Sequence, residues 1–533
     1  MPFDLTKPCE NPFSIDDSRS PLFSAADFQQ LLVPHRPKLL GPDQSLDICA
    51  PGFYPFLEID PTPEGRQWLQ HAFGYRFLPS FTNAVYALVT RVLAVPSIDF
   101  PKKLPTRIHW YESNDRPNLF EHFVVEDYIA NLKPHQKRRI LDAMDELNDS
   151  VDFSNATTAF VKSDELLFKK KGRIIWNVPP GFQAALGPAV RQMTLFLKEL
   201  ANGKTIYDAQ NQAHQRYVPS EKYTICFACG MTSVELDDWY NHSLRLLHTH
   251  EITWAGIFMG DDTFILERQL DGSVHSFECD YSSYDSTQRE AAQAKLRKIY
   301  SYWGVPDHLL RLFKKMAEAP LKIVYGPDRQ YKFKIKLPTP QTATGKPDTC
   351  LGNTVLNIDA TIHTRVCNLK YSDFGFVAKT RQHVIHSHGT FLKGFWSMGV
   401  DGLYHWNPLP GSCMKLLKSF VKVPSLLEGL RSNLSSIGPV SSPLIRVLID
   451  RFSPSFARPD TDYKIFTSIR HELDLLSLDR FLCDRYGADA ITLFSELENI
   501  LKTVSLGECC FHPLWKILAD VDYGDGRADS PLE

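Results

Sequence analysis

The chain has 533 residues, enough to bury a large core and more than one simple domain. With 43% apolar and 23% charged residues, it is not an intrinsically disordered chain. Lys and Arg total 59 against 62 Asp and Glu, and a net charge of −3 argues against a protein that coats nucleic acid by overall positive charge. Basic groups lining an internal channel remain compatible with that sum.

The opening MPFDLTKPCENPF has no basic region followed by an apolar stretch, so no secretory signal is expected. Proline and aromatics dominate to about residue 125, as in residues 51–65 and 77–81, and predict an irregular covering layer with a few helices. The apolar run 84–95 is broken by Thr90 and Arg91 and is too short to span a bilayer. A helix is predicted over 134–147, with Pro134 in its first turn and Ile140, Met144 and Leu147 on one face. Eleven scattered cysteines, with one CxxC at Cys226 and Cys229 and no second pair, predict reduced thiols in an intracellular setting and buried small residues in preference to a zinc site.

The middle of the chain reads differently. Two β-prone runs, 252–260 and 263–267, flank Gly260-Asp261-Asp262, the pattern of a hairpin. Residues 273–286 begin as a strand and end in a polar turn, and 287–300 follow as a helix. A longer helix is predicted over 349–366 despite its β-branched residues. Further helices are expected at 424–433 and 477–504, and 520–533 read as a mobile acidic tail.

Asp261 and Asp262 at a hairpin tip, with Asp280 ending a strand, form a candidate metal site. Two-metal phosphoryl transfer needs hard oxygen ligands, and Asp supplies charged oxygens on a short arm. An ordinary exposed turn is the alternative for Gly-Asp-Asp taken alone, because these are common turn residues. Asp285 could face an incoming sugar or cap the next helix. Thr349, Asn353 and Asn357 recur every four residues on one helix face after a flexible loop at Gly345, a row that could hydrogen-bond to ribose and to Asp285 or form the polar edge of a surface helix. Lys162, Lys171 and Arg173 lie in a basic segment suited to a triphosphate or, alternatively, forming a solvated turn before a strand. Lys332, Lys334 and Lys336 would share a strand face along an RNA backbone.

Taken together, these residues resemble viral RNA-dependent RNA polymerases. FVKSDEL through KKKGRIIW resembles motif F, DYSSYD motif A, TGKPDTCLGNTVLN motif B and FMGDDTF motif C; YSDFGFVAK and GTFLKGFW look like motifs D and E. The Gly-Asp-Asp segment precedes the other two palm motifs, which resembles the permuted C-A-B order of permutotetraviruses and birnaviruses, closer to the former because birnaviruses usually depart from GDD.

The resemblance implies an α+β right-hand fold with permuted connectivity: an N-terminal extension bridging fingers and thumb (1–125), fingers (126–245), a palm of antiparallel sheet backed by helices (246–396, with a fingers insertion near 301–343), a helical thumb (397–519) and the tail (520–533). It implies Mg²⁺ or Mn²⁺ held by Asp280 and Asp261 with Asp262 assisting. Asp285 and Asn353 would sense the ribose 2′-hydroxyl, supported by Thr349. Lys162, Lys171 and Arg173 would meet the triphosphate, Lys379 would protonate leaving pyrophosphate, and Gly345 with Lys332, Lys334 and Lys336 would belong to the RNA path. Template and product RNA, nucleoside triphosphates and other viral replication proteins are the implied partners. The implied setting is host cytoplasm, virions or replication membranes. Other metal-dependent nucleotidyltransferases or nucleases, and a non-enzymatic RNA-binding protein, are the competing classes.

Overall fold

The computed structural model describes residues 53–55, 75–77, 81–93, 100–101, 104, 107–112, 125–130, 132, 134–147, 157–162, 173–213, 218–325, 329, 331–337, 340–342, 344–411, 472–487, 489–503, 518 and 521–522. The architecture is mixed α/β. Strands β1 (Phe53–Pro55) and β2 (Tyr75–Phe77) pair with each other. Strands β3 (Thr157–Val161) and β4 (Ile174–Asn177) are antiparallel and enter a four-stranded sheet. A six-stranded sheet then gathers β5 (Tyr207–Asp208), β6 (Lys222–Phe227), β7 (Trp254–Met259), β8 (Asp262–Arg268) and β9 (Val274–Tyr281). The chain next returns to the four-stranded sheet with β10 (Leu321–Tyr325) and β11 (Tyr331–Ile335), in the order β11-β10-β3-β4. Strand β12 (Ala378–His383) closes the six-stranded sheet beside β9, and β13 (Thr390–Phe391), β14 (Gly394–Met398) and β15 (Tyr404–Pro408) make a separate three-stranded sheet.

Strands β7, β8 and β9 form a meander of consecutive antiparallel partners. Met259 pairs with Asp262, so Gly260 and Asp261 are a two-residue turn, and Gly260 carries a φ of 63° at its first position. A positive φ there is the II′ pattern, whose twist suits a hairpin and which glycine adopts without a Cβ clash.

Within 246–396, where the resemblance implies an antiparallel sheet, β7, β8, β9 and β12 pair antiparallel throughout, and a parallel pair enters only with β6, upstream of those bounds. Strands β6 and β7 run parallel, joined by the crossover helix Ser233–His248. Parallel neighbours need such a crossover, and this one is started by a capping box in which the Thr232 hydroxyl accepts from Glu235 N and the Glu235 carboxylate accepts from Thr232 N. The boundary expected at 245/246 therefore falls inside a βαβ unit, and that at 396/397 falls within β14.

Helix Thr349–Cys367 packs against the meander, and residues 351–363 on it are buried around its whole circumference. That explains a helix rich in β-branched residues: packing on all sides outweighs their weaker propensity. The Pro134–Leu147 helix has the predicted bounds. The helix predicted from 287 instead starts at Glu290, after a short turn Tyr284–Thr287, and 477–504 is two helices, Leu475–Tyr486 and Ala490–Thr503. Gly487, with φ 70°, ends the first. Asp522, placed by composition in a mobile tail, is buried and paired with Arg485 at 2.7 Å. A carboxylate that finds a guanidinium can be buried where composition alone suggests solvent. The candidate helix 424–433 lies outside the described residues.

Candidate active site

The Gly260-Asp261 turn is fastened to the Thr349–Cys367 helix by side chains that emerge one turn apart. The Gly260 amide donates to Thr354 Oγ1 at 2.8 Å, and Asn357 Nδ2 donates to the Gly260 carbonyl at 3.1 Å. The Asn357 oxygen accepts from Thr263 Oγ1 at 2.8 Å and from the Tyr281 hydroxyl at 2.9 Å. One fully buried amide thus ties the hairpin, the neighbouring strand and the helix together.

Since Thr263 and Tyr281 face that helix, alternation turns Asp262 and Asp280 to the opposite face of the sheet. The Thr263–Cys279 pair sets Asp262 across from Asp280, and Lys379 on β12 pairs with Asp280. Asp262, Asp280 and Lys379 therefore form a row across three strands, in which directly opposed Cβ atoms stand about 5 Å apart. Asp280 and Lys379 are exposed.

Asp261 sits at the turn. Burial and the nearby Asp280 charge push its carboxyl up to about 6, with Asp285 adding to the rise and Arg173 opposing it. A buried carboxyl raised by a neighbouring negative charge suits a hard divalent cation, which would relieve both burial and repulsion. Among the described residues, no group of three or more His, Cys, Asp or Glu side chains is arranged to hold a metal ion.

Asp285 does not cap the following helix. Its Oδ1 accepts from Asn353 Nδ2 at 2.7 Å and its Oδ2 from Thr344 Oγ1 at 2.8 Å. The Thr349 hydroxyl donates to the Lys346 carbonyl at 3.1 Å, at the start of its own helix. Gly345 is where a Cβ would overlap the Trp176 carbonyl oxygen, so glycine is needed there for close approach to β4, beyond any looseness it lends the loop.

The basic groups are divided. Lys162 N donates to the Arg173 carbonyl at 2.8 Å, so both close the end of the β3–β4 pair; Lys171 lies outside the described residues. Lys332 and Lys334 are exposed on the edge strand β11, and Lys336 follows its end at Ile335. Cys226 is buried in β6 and Cys229 is half-buried in the loop after it; both are free thiols.

Comparison with known proteins adds one finding. Residues 241–378 match the family model described as RNA dependent RNA polymerase. The polymerase match spans about a quarter of the chain and contains Asp261, Asp262, Asp280, Asp285, Lys332, Lys334, Lys336, Gly345, Thr349 and Asn353. It ends one residue before Lys379 and leaves Lys162, Lys171 and Arg173 upstream. The match supports nucleotidyl transfer of the RNA-polymerase kind as the general activity, which in that family depends on a divalent cation. No curated protein matches the chain at a significant level. Among the described residues, no helix is long and apolar enough to cross a membrane.

Sequence reasoning left two residues of this site unnamed, Thr344 and Thr354. Asn357 was visible as the third member of the four-residue ladder, but its grip on Gly260 was not. Thr354, directly after Asn353, gave no separate signal, because a helical threonine more often serves packing.

Proposed function

We propose that the chain is an RNA-directed RNA polymerase whose palm is the six-stranded sheet with the Thr349–Cys367 helix, in the permuted order C-A-B, serving replication and transcription of a viral RNA genome. The observation that carries this reading is the Asn353–Asp285 hydrogen bond of 2.7 Å beside Asp261, whose carboxyl is pushed up by burial and by the neighbouring Asp280 charge. Metal-dependent hydrolysis alone does not call for an amide and a carboxylate poised together near a carboxylate pair, whereas selection of a ribose hydroxyl does.

In this reading an RNA 3′-hydroxyl attacks the α-phosphorus of a nucleoside triphosphate; a new P–O bond forms and pyrophosphate leaves. Asp261 and Asp280, assisted by Asp262, would hold Mg²⁺ or Mn²⁺, which when bound supplies charge compensation at the phosphoryl oxygens. Asp285 and Asn353 receive the ribose, with Thr349 bracing the helix start. Arg173, Lys171 and Lys162 meet the triphosphate, and Lys379, opposite Asp280, gives a proton to the departing pyrophosphate. The surface bearing Lys332, Lys334 and Lys336 and the turn at Gly345 follow the RNA. Segments 126–245 and 301–343 contribute fingers, 397–519 the thumb, and 1–125 a bridge between them.

The test is extension of an annealed RNA primer on an RNA template with Mg²⁺ or Mn²⁺. Asp261→Ala and Asp280→Ala are each expected to abolish extension while RNA binding persists. Parent-level extension by both variants would refute the assignment.

A further inference from the structure

Behind Asp285 lies a run of buried polar side chains of which the proposed chemistry uses only Asn353. Lys346 Nζ donates to Gln293 Oε1 at 3.4 Å; Gln293 Nε2 donates to Thr342 Oγ1; Thr342 Oγ1 donates to Gln288 Oε1 at 2.9 Å; Gln288 Nε2 donates to Asn353 Oδ1 at 2.8 Å; and Asn353 Nδ2 donates to Asp285 Oδ1. Gln288 is fully buried, and Lys346, Gln293, Thr342 and Asn353 are each at most 6% exposed.

Chemistry fixes the direction of this chain from its Asp285 end: an ionised carboxylate can only accept, so Asn353 presents its nitrogen there, and each amide and hydroxyl back to Lys346 then has one consistent orientation. Gln293 Nε2 also reaches the Gln288 carbonyl at 3.4 Å, which requires its nitrogen to point that way. An amide free to rotate could offer Asp285 either its oxygen or its nitrogen, and only the nitrogen is compatible with an ionised Asp285.

We infer that Gln288, held by Thr342, is a positioning residue that fixes the Asn353 amide with its nitrogen toward Asp285, and thereby sets discrimination between ribonucleotides and 2′-deoxynucleotides. This rests on the proposed polymerase reading. Gln288 and Thr342 touch no substrate in this scheme; they act through Asn353 and Asp285. A buried polar network of this kind specifies one arrangement only while every member is satisfied.

Three variants test it: Gln288→Leu, which removes the amide; Gln288→Glu, which keeps the shape but presents a carboxylate to Asn353; and Thr342→Val, which removes the hydroxyl holding Gln288. The readouts are the ratio of kcat/KM for ATP over 2′-deoxyATP in primer extension and the ratio of their Kd values in equilibrium titration. Loss of one oriented hydrogen bond predicts a fall in discrimination of roughly tenfold for Gln288→Leu. Gln288→Glu should fall further, because its carboxylate draws the Asn353 nitrogen away from Asp285. A role in packing alone predicts the reverse order, with the isosteric glutamate milder. Thr342→Val should fall in the same direction as Gln288→Leu, and it serves as the reading should neither Gln288 variant fold. Parent-level discrimination in the folded variants, or a glutamate variant milder than leucine, overturns the inference while leaving polymerase activity in place. A parent protein that extends no RNA primer overturns the polymerase reading itself, and this inference with it.

Discussion

Replacing Asn357 by leucine should loosen the hairpin that carries Asp261 without changing side-chain volume greatly. Asn357 is fully buried, and its oxygen is the acceptor for the hydroxyls of Thr263 and Tyr281, which are 2% and 5% exposed. Each buried donor left without a partner costs about 1–3 kcal/mol, so the two together cost about 4 kcal/mol. The Gly260 carbonyl, half-buried, can be met by water and adds less. At 1.4 kcal/mol per tenfold, about 4 kcal/mol corresponds to a roughly thousandfold loss of protection for amides of residues 254–281 in native-state hydrogen exchange. Adding Thr263→Val and Tyr281→Phe removes the stranded hydroxyls and should restore more than half of that protection, since deleting both sides of a buried hydrogen bond costs far less than deleting one. Protection within tenfold of the parent in Asn357→Leu, or a triple variant as weak as the sum of its parts, would refute this account of the turn.

Two further outcomes follow from the same geometry. Asp261 is raised in the folded protein, so between about pH 4 and 6 the folded state holds a proton that the unfolded chain has released. Stability therefore falls as pH rises through that window, by up to about 3 kcal/mol for a shift of roughly two units, and is insensitive to this group below it. In metal-free protein, Asp261→Asn should accordingly be more resistant to urea than the parent at pH 8 and equal to it at pH 4; equal resistance at both would contradict the assignment. Gly345→Ala would drive a Cβ into the Trp176 carbonyl, and the resulting shift should cost about 1–3 kcal/mol and displace Thr344 from Asp285. Unfolding midpoints and primer extension both unchanged from the parent would show that the loop absorbs the methyl group.

The hairpin around Gly260 was legible in the sequence because its signals are local: apolar runs on both sides and a turn residue tolerant of positive φ. Helix Thr349–Cys367 was legible for its length, and its polar ladder led correctly to contacts of Asn353 with Asp285. The parallel pairing of β6 with β7 was not, because a strand's partner across a crossover leaves no local mark. Gln288 and Thr342 were also invisible: their meaning lies in facing one another across 54 residues. Gly345 invited a reading of looseness where the structure shows a tight approach to another backbone.

The meander β7-β8-β9 has a bearing on assembly as well as chemistry. It brings Asp261 and Asp280 together across 19 residues of chain, whereas the Asn353–Asp285 contact spans 68. By the logarithmic cost of loop closure, the nearer pair is cheaper to bring together by roughly 1 kcal/mol, before any strand pairing is counted. The acidic half of the site is thus a product of neighbouring sequence, and the Asn353–Asp285 half is completed by a distant helix. Placing the Gly-Asp-Asp turn ahead of its partner strand makes two mutually repelling carboxylates a pair whose union asks little of the chain.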